Sequence, residues 1–158
     1  MTAIEDGAAR VDAAVTALGL EADVVPRGDA RSLEEAAANV GVAPSQVIKT
    51  LVLKKSDDSY VFALVPGGRQ LSWAKVRALL GVNKIQLPKP EQALAATGFE
   101  RGTIVPLGST TAWPVIADAT IAGRVALGAG RPGHSLLTEA APLLAALDAT
   151  VADISDPE

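Results

Sequence analysis

Gln46-Val47-Ile48-Lys49-Thr50-Leu51-Val52-Leu53, followed six residues later by Tyr60-Val61-Phe62-Ala63-Leu64-Val65, is the stretch on which the architecture turns. Both runs are β-branched and apolar, and the residues between them, Lys54-Lys55-Ser56-Asp57-Asp58-Ser59, make a polar tip. Together they read as an antiparallel hairpin. Neither run alternates cleanly between apolar and polar, which predicts burial on both faces. Lys49 is the one charge between Val47 and Leu53. An unpaired buried ammonium is costly. Lys49 therefore reaches water along its stem, pairs with a carboxylate, or faces a cavity that receives an anion.

Outward from the hairpin, helical spacing of Ile4, Ala8, Val11, Val15 and Leu18 predicts a first helix with Gly19 as its cap. A short strand, 22–26, precedes a second helix that opens on a capping box, Ser32 with Glu35, and stops at Gly41. After the hairpin, Pro66-Gly67-Gly68 breaks the chain and Ser72 caps a helix over 73–80. A strand at 84–87 and a helix from Pro90 to just before Gly98 follow. Strands near 113–117, 123–127 and 135–137, a helix over 142–147 and a strand near Val151 complete the reading, with 153–158 polar and frayed. Strands outnumber helices and several are hairpin-linked, so the expected class is α+β with a mixed, strongly curved sheet and flanking helices. The 158 residues suit one domain, 1–158.

With 49% apolar residues and only 3% aromatics, the core is expected to consist of Val, Leu, Ile and Ala. No cysteine is present, which removes disulfides, thiolate metal sites and a cysteine nucleophile. A single histidine argues against a catalytic zinc and against a Ser-His-Asp hydrolase. No apolar leader or membrane-length run is found, so a cytoplasmic protein is expected. The net charge of −4 argues against holding long nucleic acid, DNA included. Residues 41–101 nevertheless carry nine lysines and arginines against four acids, a local +5 that leaves −9 for the remainder. That asymmetry suits contact with a short piece of phosphate backbone, and an ordinary solvated surface produces it too.

Three further features could carry chemistry. The segment from Gly98 to Gly108 holds three glycines and a proline, enough to fix an unusual backbone path with amides free for an anion or a carbonyl oxygen; a plain structural turn has the same composition. Gly128-Ala129-Gly130-Arg131-Pro132-Gly133 matches the dinucleotide fingerprint. Pro132 and the 25 residues left after Gly133 argue that the match is accidental. His134 follows that turn with no evident partner, and Trp73 and Trp113 read first as core or boundary residues.

The order and spacing of these elements, from about Ser32 to Ile154, resemble the YbaK/prolyl-tRNA-editing domain family. The strand with Lys49 resembles the family's strand with its functional lysine, and Leu71-Ser72-Trp73-Ala74-Lys75-Val76 resembles the helix start that follows it. Thr97-Gly98-Phe99 and Gly102-Thr103-Ile104-Val105-Pro106-Leu107-Gly108 resemble the TGY segment and the G-x-x-x-P loop. Many members have glycine and serine where this chain has Thr103 and Val105, which removes a serine hydroxyl from the loop but leaves its amides. The GRPGH stretch ending at His134 resembles one branch, in which a late histidine borders the aminoacyl pocket.

The resemblance implies a barrel-like YbaK fold and hydrolysis, in trans, of the ester that joins a wrong amino acid to the 3′ adenosine of a tRNA. A small amino acid on tRNA(Pro) or a similar tRNA is expected. Such an ester is already activated, so positioning and oxyanion stabilisation, assisted by the substrate's ribose hydroxyl, replace a protein nucleophile, a metal and a cofactor. It implies catalytic roles for Lys49 and Gly102 and substrate contacts from Thr50, Thr103, Ile104, Val105, Pro106 and His134. The implied partners are the 3′ aminoacyl end of tRNA and a synthetase or elongation factor. The rival readings are a non-catalytic module that binds tRNA ends or a small anion, and a nucleotide-dependent oxidoreductase.

Overall fold

The expected hairpin forms from β2 (Ile48–Lys55) and β3 (Tyr60–Pro66), paired antiparallel from Ile48↔Pro66 to Lys54↔Tyr60 in a computed structural model that describes residues 3–158, with side chains from Asp6 onward. The first strand starts later than its apolar run suggests. Pro44 sets up a 3-10 turn, Pro44–Gln46, that Gln46 closes by accepting from the Ala43 amide at 2.7 Å.

Before the hairpin lie α1 (Ala3–Ala17), β1 (Ala22–Pro26) and α2 (Leu33–Val40). The Ile4 side chain, one of the apolar positions expected in α1, lies outside the described side chains, as do Met1 and Thr2 altogether. Ser32 caps α2 by accepting from Glu35 N, while the Glu35 carboxylate reaches back to the Arg31 amide. After the hairpin come β4 (Arg69–Leu71), α3 (Trp73–Leu80), β5 (Ile85–Gln86) and α4 (Pro90–Thr97). The chain closes with β6 (Val115–Asp118), β7 (Arg124–Gly128), β8 (His134–Glu139), α5 (Ala140–Ala146), β9 (Thr150–Ala152) and β10 (Ser155–Pro157).

The α+β class and the mixed pairing are as expected: the central sheet runs β5-β2-β3-β6-β9, with β2–β3 antiparallel and β3–β6 and β6–β9 parallel. The barrel-like curvature is not. Strands β1-β8-β7 form a separate antiparallel sheet and β10-β4 a third, and no closed or strongly curled sheet is found among the described residues. A single parallel bridge, Val47↔Ala126, is what joins the first two.

Alternation along the hairpin gives the central sheet a core on each face. Ile48, Val52, Phe62 and Leu64 face one core, shared with Val11 of α1, Val125 of β7, Leu136 of β8 and Leu143 of α5. Leu53, Val61, Ala63 and Val65 face a second, closed by Val76 of α3 and by Ile154. The central sheet is thus the middle layer, and packing rather than a continuous ladder attaches the three-stranded sheet to it.

The 153–158 stretch does not fray. β10 pairs with β4, from Ser155↔Leu71 to Pro157↔Arg69, Ile154 is fully buried, and Glu158 N donates to Gly68 O at 3.0 Å. The reason is a set of ion pairs and hydrogen bonds with partners some eighty residues away in sequence, described next.

Candidate functional site

Lys49 is not set in the apolar strand interior that its neighbours suggest. Its side chain is 45% exposed, Nζ donates to Arg69 O at 2.8 Å, and Glu158 Oε1 lies 3.6 Å away. The face of β2 that carries it runs from fully buried Leu53 through half-buried Leu51 to the rim of the second core. Lys49 sits at that rim and reaches water, with a carboxylate loosely beside it.

Arg69, which accepts that bond, leads into a buried network. Its Nε donates to Ser155 Oγ at 2.7 Å and lies 3.7 Å from Asp118 Oδ2, while Ser155 Oγ donates to Asp118 Oδ1 at 2.7 Å. Burial pushes the Asp118 carboxyl up, but the hydroxyls of Thr120 and Ser155 and the amides of Thr120 and Ile154 more than offset this and hold it below the ordinary carboxylate value. Beside it, Lys75 Nζ meets Asp156 at 2.8 Å and Asp153 at 2.9 Å, which raises the lysine above its ordinary value. Sequence reasoning missed Asp118. The signal was an acid closing the apolar run Val115-Ile116-Ala117, the same anomaly that marked Lys49. Arg69 also lines a cleft of about 500 Å³ with Gln46, Gly67 and Thr120.

The glycine-rich loop lies on the opposite side of the central sheet, where Val105 and Leu107 enter the first core. Thr103 turns the loop inward: its amide and hydroxyl both donate to Glu100 O, at 3.1 and 2.8 Å, and its carbonyl accepts from Gly130 N at 3.0 Å. The amides of Ile104 and Val105 meet no acceptor among the described residues. Val105 and Pro106 are buried and Ile104 is half-buried. Thr50, by alternation, faces the same side as Ile48 and Val52, and its hydroxyl is buried without a partner.

Gly102 is exposed at φ +83°, and a side chain there would meet nothing within 4 Å. The left-handed turn, not crowding, demands glycine at that position. Crowding falls instead on Gly128, where a Cβ would sit 2.4 Å from Ile104 O. His134 opens β8, half-buried, with Nδ1 2.8 Å from Pro132 O. Gly128 to Gly133 make the turn of an antiparallel hairpin with no helix after it, so the dinucleotide reading loses its structural context. Trp113 donates to Ala96 O at 2.9 Å and packs on Tyr60, and Trp73 packs on the second core.

The structure therefore brings Thr50, Ile104, Val105 and Gly128 to one side of the central sheet and holds Lys49 on the other face at its rim. A second concentration of charge lies at the far end of β2, where Lys54, Lys55 and Lys84 surround a small cleft of about 180 Å³. No cluster of three or more histidine, aspartate or glutamate residues suited to a metal is found among the described residues. No described helix is long and apolar enough to cross a membrane.

A mixed α+β fold with a glycine-rich loop packed against one sheet and a strand carrying Lys49, Lys54 and Lys55 beside it is the class this geometry defines. Residues 27–146 match the aminoacyl-tRNA editing domain model, and the chain belongs to that family. It is 34% identical over 139 residues to a proline–tRNA ligase of Nitratidesulfovibrio vulgaris, covering 84% of this chain and 24% of the ligase. It is 35% identical over 101 residues to that of Thermosipho melanesiensis, covering 64% of this chain and 18% of the ligase. The chain thus spans about a fifth to a quarter of these relatives. A solved structure described as a candidate trans-editing enzyme for prolyl-tRNA synthetase superposes with a TM-score of 0.85 at 29% identity, covering 95% of this chain and 97% of that one.

Proposed function

We propose that the protein is an aminoacyl-tRNA deacylase that acts in trans, removing a small amino acid wrongly attached to tRNA(Pro) or a similar tRNA. The observation that carries this reading is that the amides of Ile104 and Val105 meet no acceptor among the described residues, in a loop whose Thr103, Val105 and Leu107 are buried. Two such donors suit the oxygen of an ester carbonyl, and they suit better the oxyanion formed when water adds to its carbon. The ribose–oxygen bond to that carbon then breaks, the ribose oxygen takes a proton, and free amino acid and tRNA leave. The ribose hydroxyl neighbouring the ester orients the water, so the protein supplies positioning and no covalent intermediate. Lys49, half in solvent and weakly paired, is available to a substrate phosphate, which would displace Glu158. Gly102 sets the turn that aims the loop, and Thr50, Pro106 and His134 bound the acyl group and terminal ribose.

A second reading, a non-catalytic module for tRNA ends, draws on Thr103. Its hydroxyl donates to Glu100 O, so its proton is not free for a substrate oxygen. Incubating the pure protein with Ala-, Ser- and Cys-tRNA(Pro) and a panel of bulkier aminoacyl-tRNAs separates the two. Turnover of one or more small aminoacyl-tRNAs is expected; binding without turnover across the panel would establish the module instead.

A further inference from the structure

The two ends of the glycine-rich loop are held by one side chain that lies outside it. Arg10, on α1, donates from Nε to Gly108 O at 2.8 Å and from Nη2 to Gly98 O at 2.7 Å. Its Cζ stands 5.0 Å from the centre of the Phe99 ring, and Nη1 pairs with Asp6 one turn earlier on the helix. Gly98 is the left-handed cap of α4 and Gly108 ends the G-x-x-x-P segment, so the guanidinium spans the base of the loop that carries the Ile104 and Val105 amides. The fit is close, since a Cβ at Gly108 would lie 2.6 Å from the Arg10 carbonyl. A planar fork can serve two carbonyls at once; a lysine ammonium on the same stem is a single point.

We propose that Arg10 is a positioning residue for deacylation: it clamps Gly98 and Gly108 together and thereby fixes the carbonyl-binding amides of the loop between them. This rests on the reading of those amides as the oxyanion site. A plain staple holding α1 to the domain would use the same contacts, so the test must separate the two. Arg10→Met keeps the stem and Arg10→Lys keeps the charge, and both would be compared with wild type in single-turnover deacylation, in thermal unfolding and in amide hydrogen exchange.

The expected result is a fall of about tenfold to a hundredfold in the rate at saturating enzyme, with little change in the enzyme concentration that half-saturates it. Exchange should accelerate at the hydrogen-bonded amides that tie the loop down, Thr103 to Glu100 O and Gly130 to Thr103 O, while β2 and β3 stay protected, and Arg10→Lys should recover only part of the loss. A rate that falls only in proportion to the unfolded fraction, or unchanged exchange across the loop, would overturn the proposal. Should Arg10→Met fail to fold, the same readouts on Arg10→Lys decide. If the wild type deacylates nothing on the panel, the function reading fails on its own, and exchange at the Thr103 and Gly130 amides still tests the clamp.

Discussion

At the scale of single residues, Lys49 is the clearest case of a sequence signal whose cause differs from its appearance. It stood out as a charge in an apolar run, and it is a rim residue with a carbonyl and a loose carboxylate for company. Lys49→Ala should therefore shift unfolding free energy by no more than about 0.5 kcal/mol, while deacylation falls. Urea unfolding and single-turnover assays on one preparation check this, and a large destabilisation with activity intact would remove Lys49 from the site. Gly128 makes the converse point. Gly128→Ala must push the Ile104 carbonyl aside, so turnover should drop further than in Gly102→Ala, whose new methyl enters open space and costs only the left-handed backbone, about 1 kcal/mol. Equal rates in the two variants would show that the loop's position against β7 does not matter. Asp118 gives a pH dependence. Its folded pKa lies below the unfolded value, so its contribution is complete above pH ~4 and is lost as pH falls through the folded pKa. Acid unfolding followed by circular dichroism should show wild type losing stability in that window more steeply than Asp118→Asn.

Among the elements, those that depend on local chemistry were legible. Ser32 and Ser72 at helix starts, Gly41 and Gly81 at helix ends, and the paired apolar runs of the hairpin each point to one structure from a few neighbouring residues. β4 and β10 were not. Each has three residues and little apolar character, and what fixes them is Arg69, Lys75 and Asp118 meeting Ser155 and Asp156 across long sequence separations. No window of sequence contains both halves of that network. The loop was legible as a glycine-punctuated turn, whereas Arg10, nearly a hundred residues before Gly108, gave no sign of holding it. The buried end of the chain has a measurable consequence. Ile154→Ala, in what reads as a polar tail, should cost about 2 to 5 kcal/mol in urea unfolding, as a core truncation does. A cost near zero would mean that the segment entering β10 adds nothing to the second core.

For the molecule as a whole, charge is distributed along β2 in two groups. Lys49 stands at one end, and Lys54, Lys55 and Lys84 gather about 16 Å along the strand. A single-stranded tRNA end could meet both. If about three phosphates are engaged, raising salt from 50 to 200 mM should reduce kcat/KM by about tenfold or more, and Lys84→Ala should flatten that dependence. A salt-independent kcat/KM would exclude phosphate contact as a source of affinity. The sheet's division was hidden from sequence because curvature depends on which strand edges meet, and nothing in the run Arg124-Val125-Ala126-Leu127 states that it meets the central sheet at a single bridge, to Val47 just before β2. That bridge is also the one backbone pairing between the two sheets among the described residues. Beside the Val47–Ala126 link there is no ladder between the sheets, so apolar packing of Ile48 and Val52 with Val125 and Leu127, not hydrogen-bond geometry, sets their spacing along this seam. Gly128 and Ile104 lie close to that line. Loosening the packing between the two sheets would therefore also move the Ile104 carbonyl, which lies against Gly128 of β7.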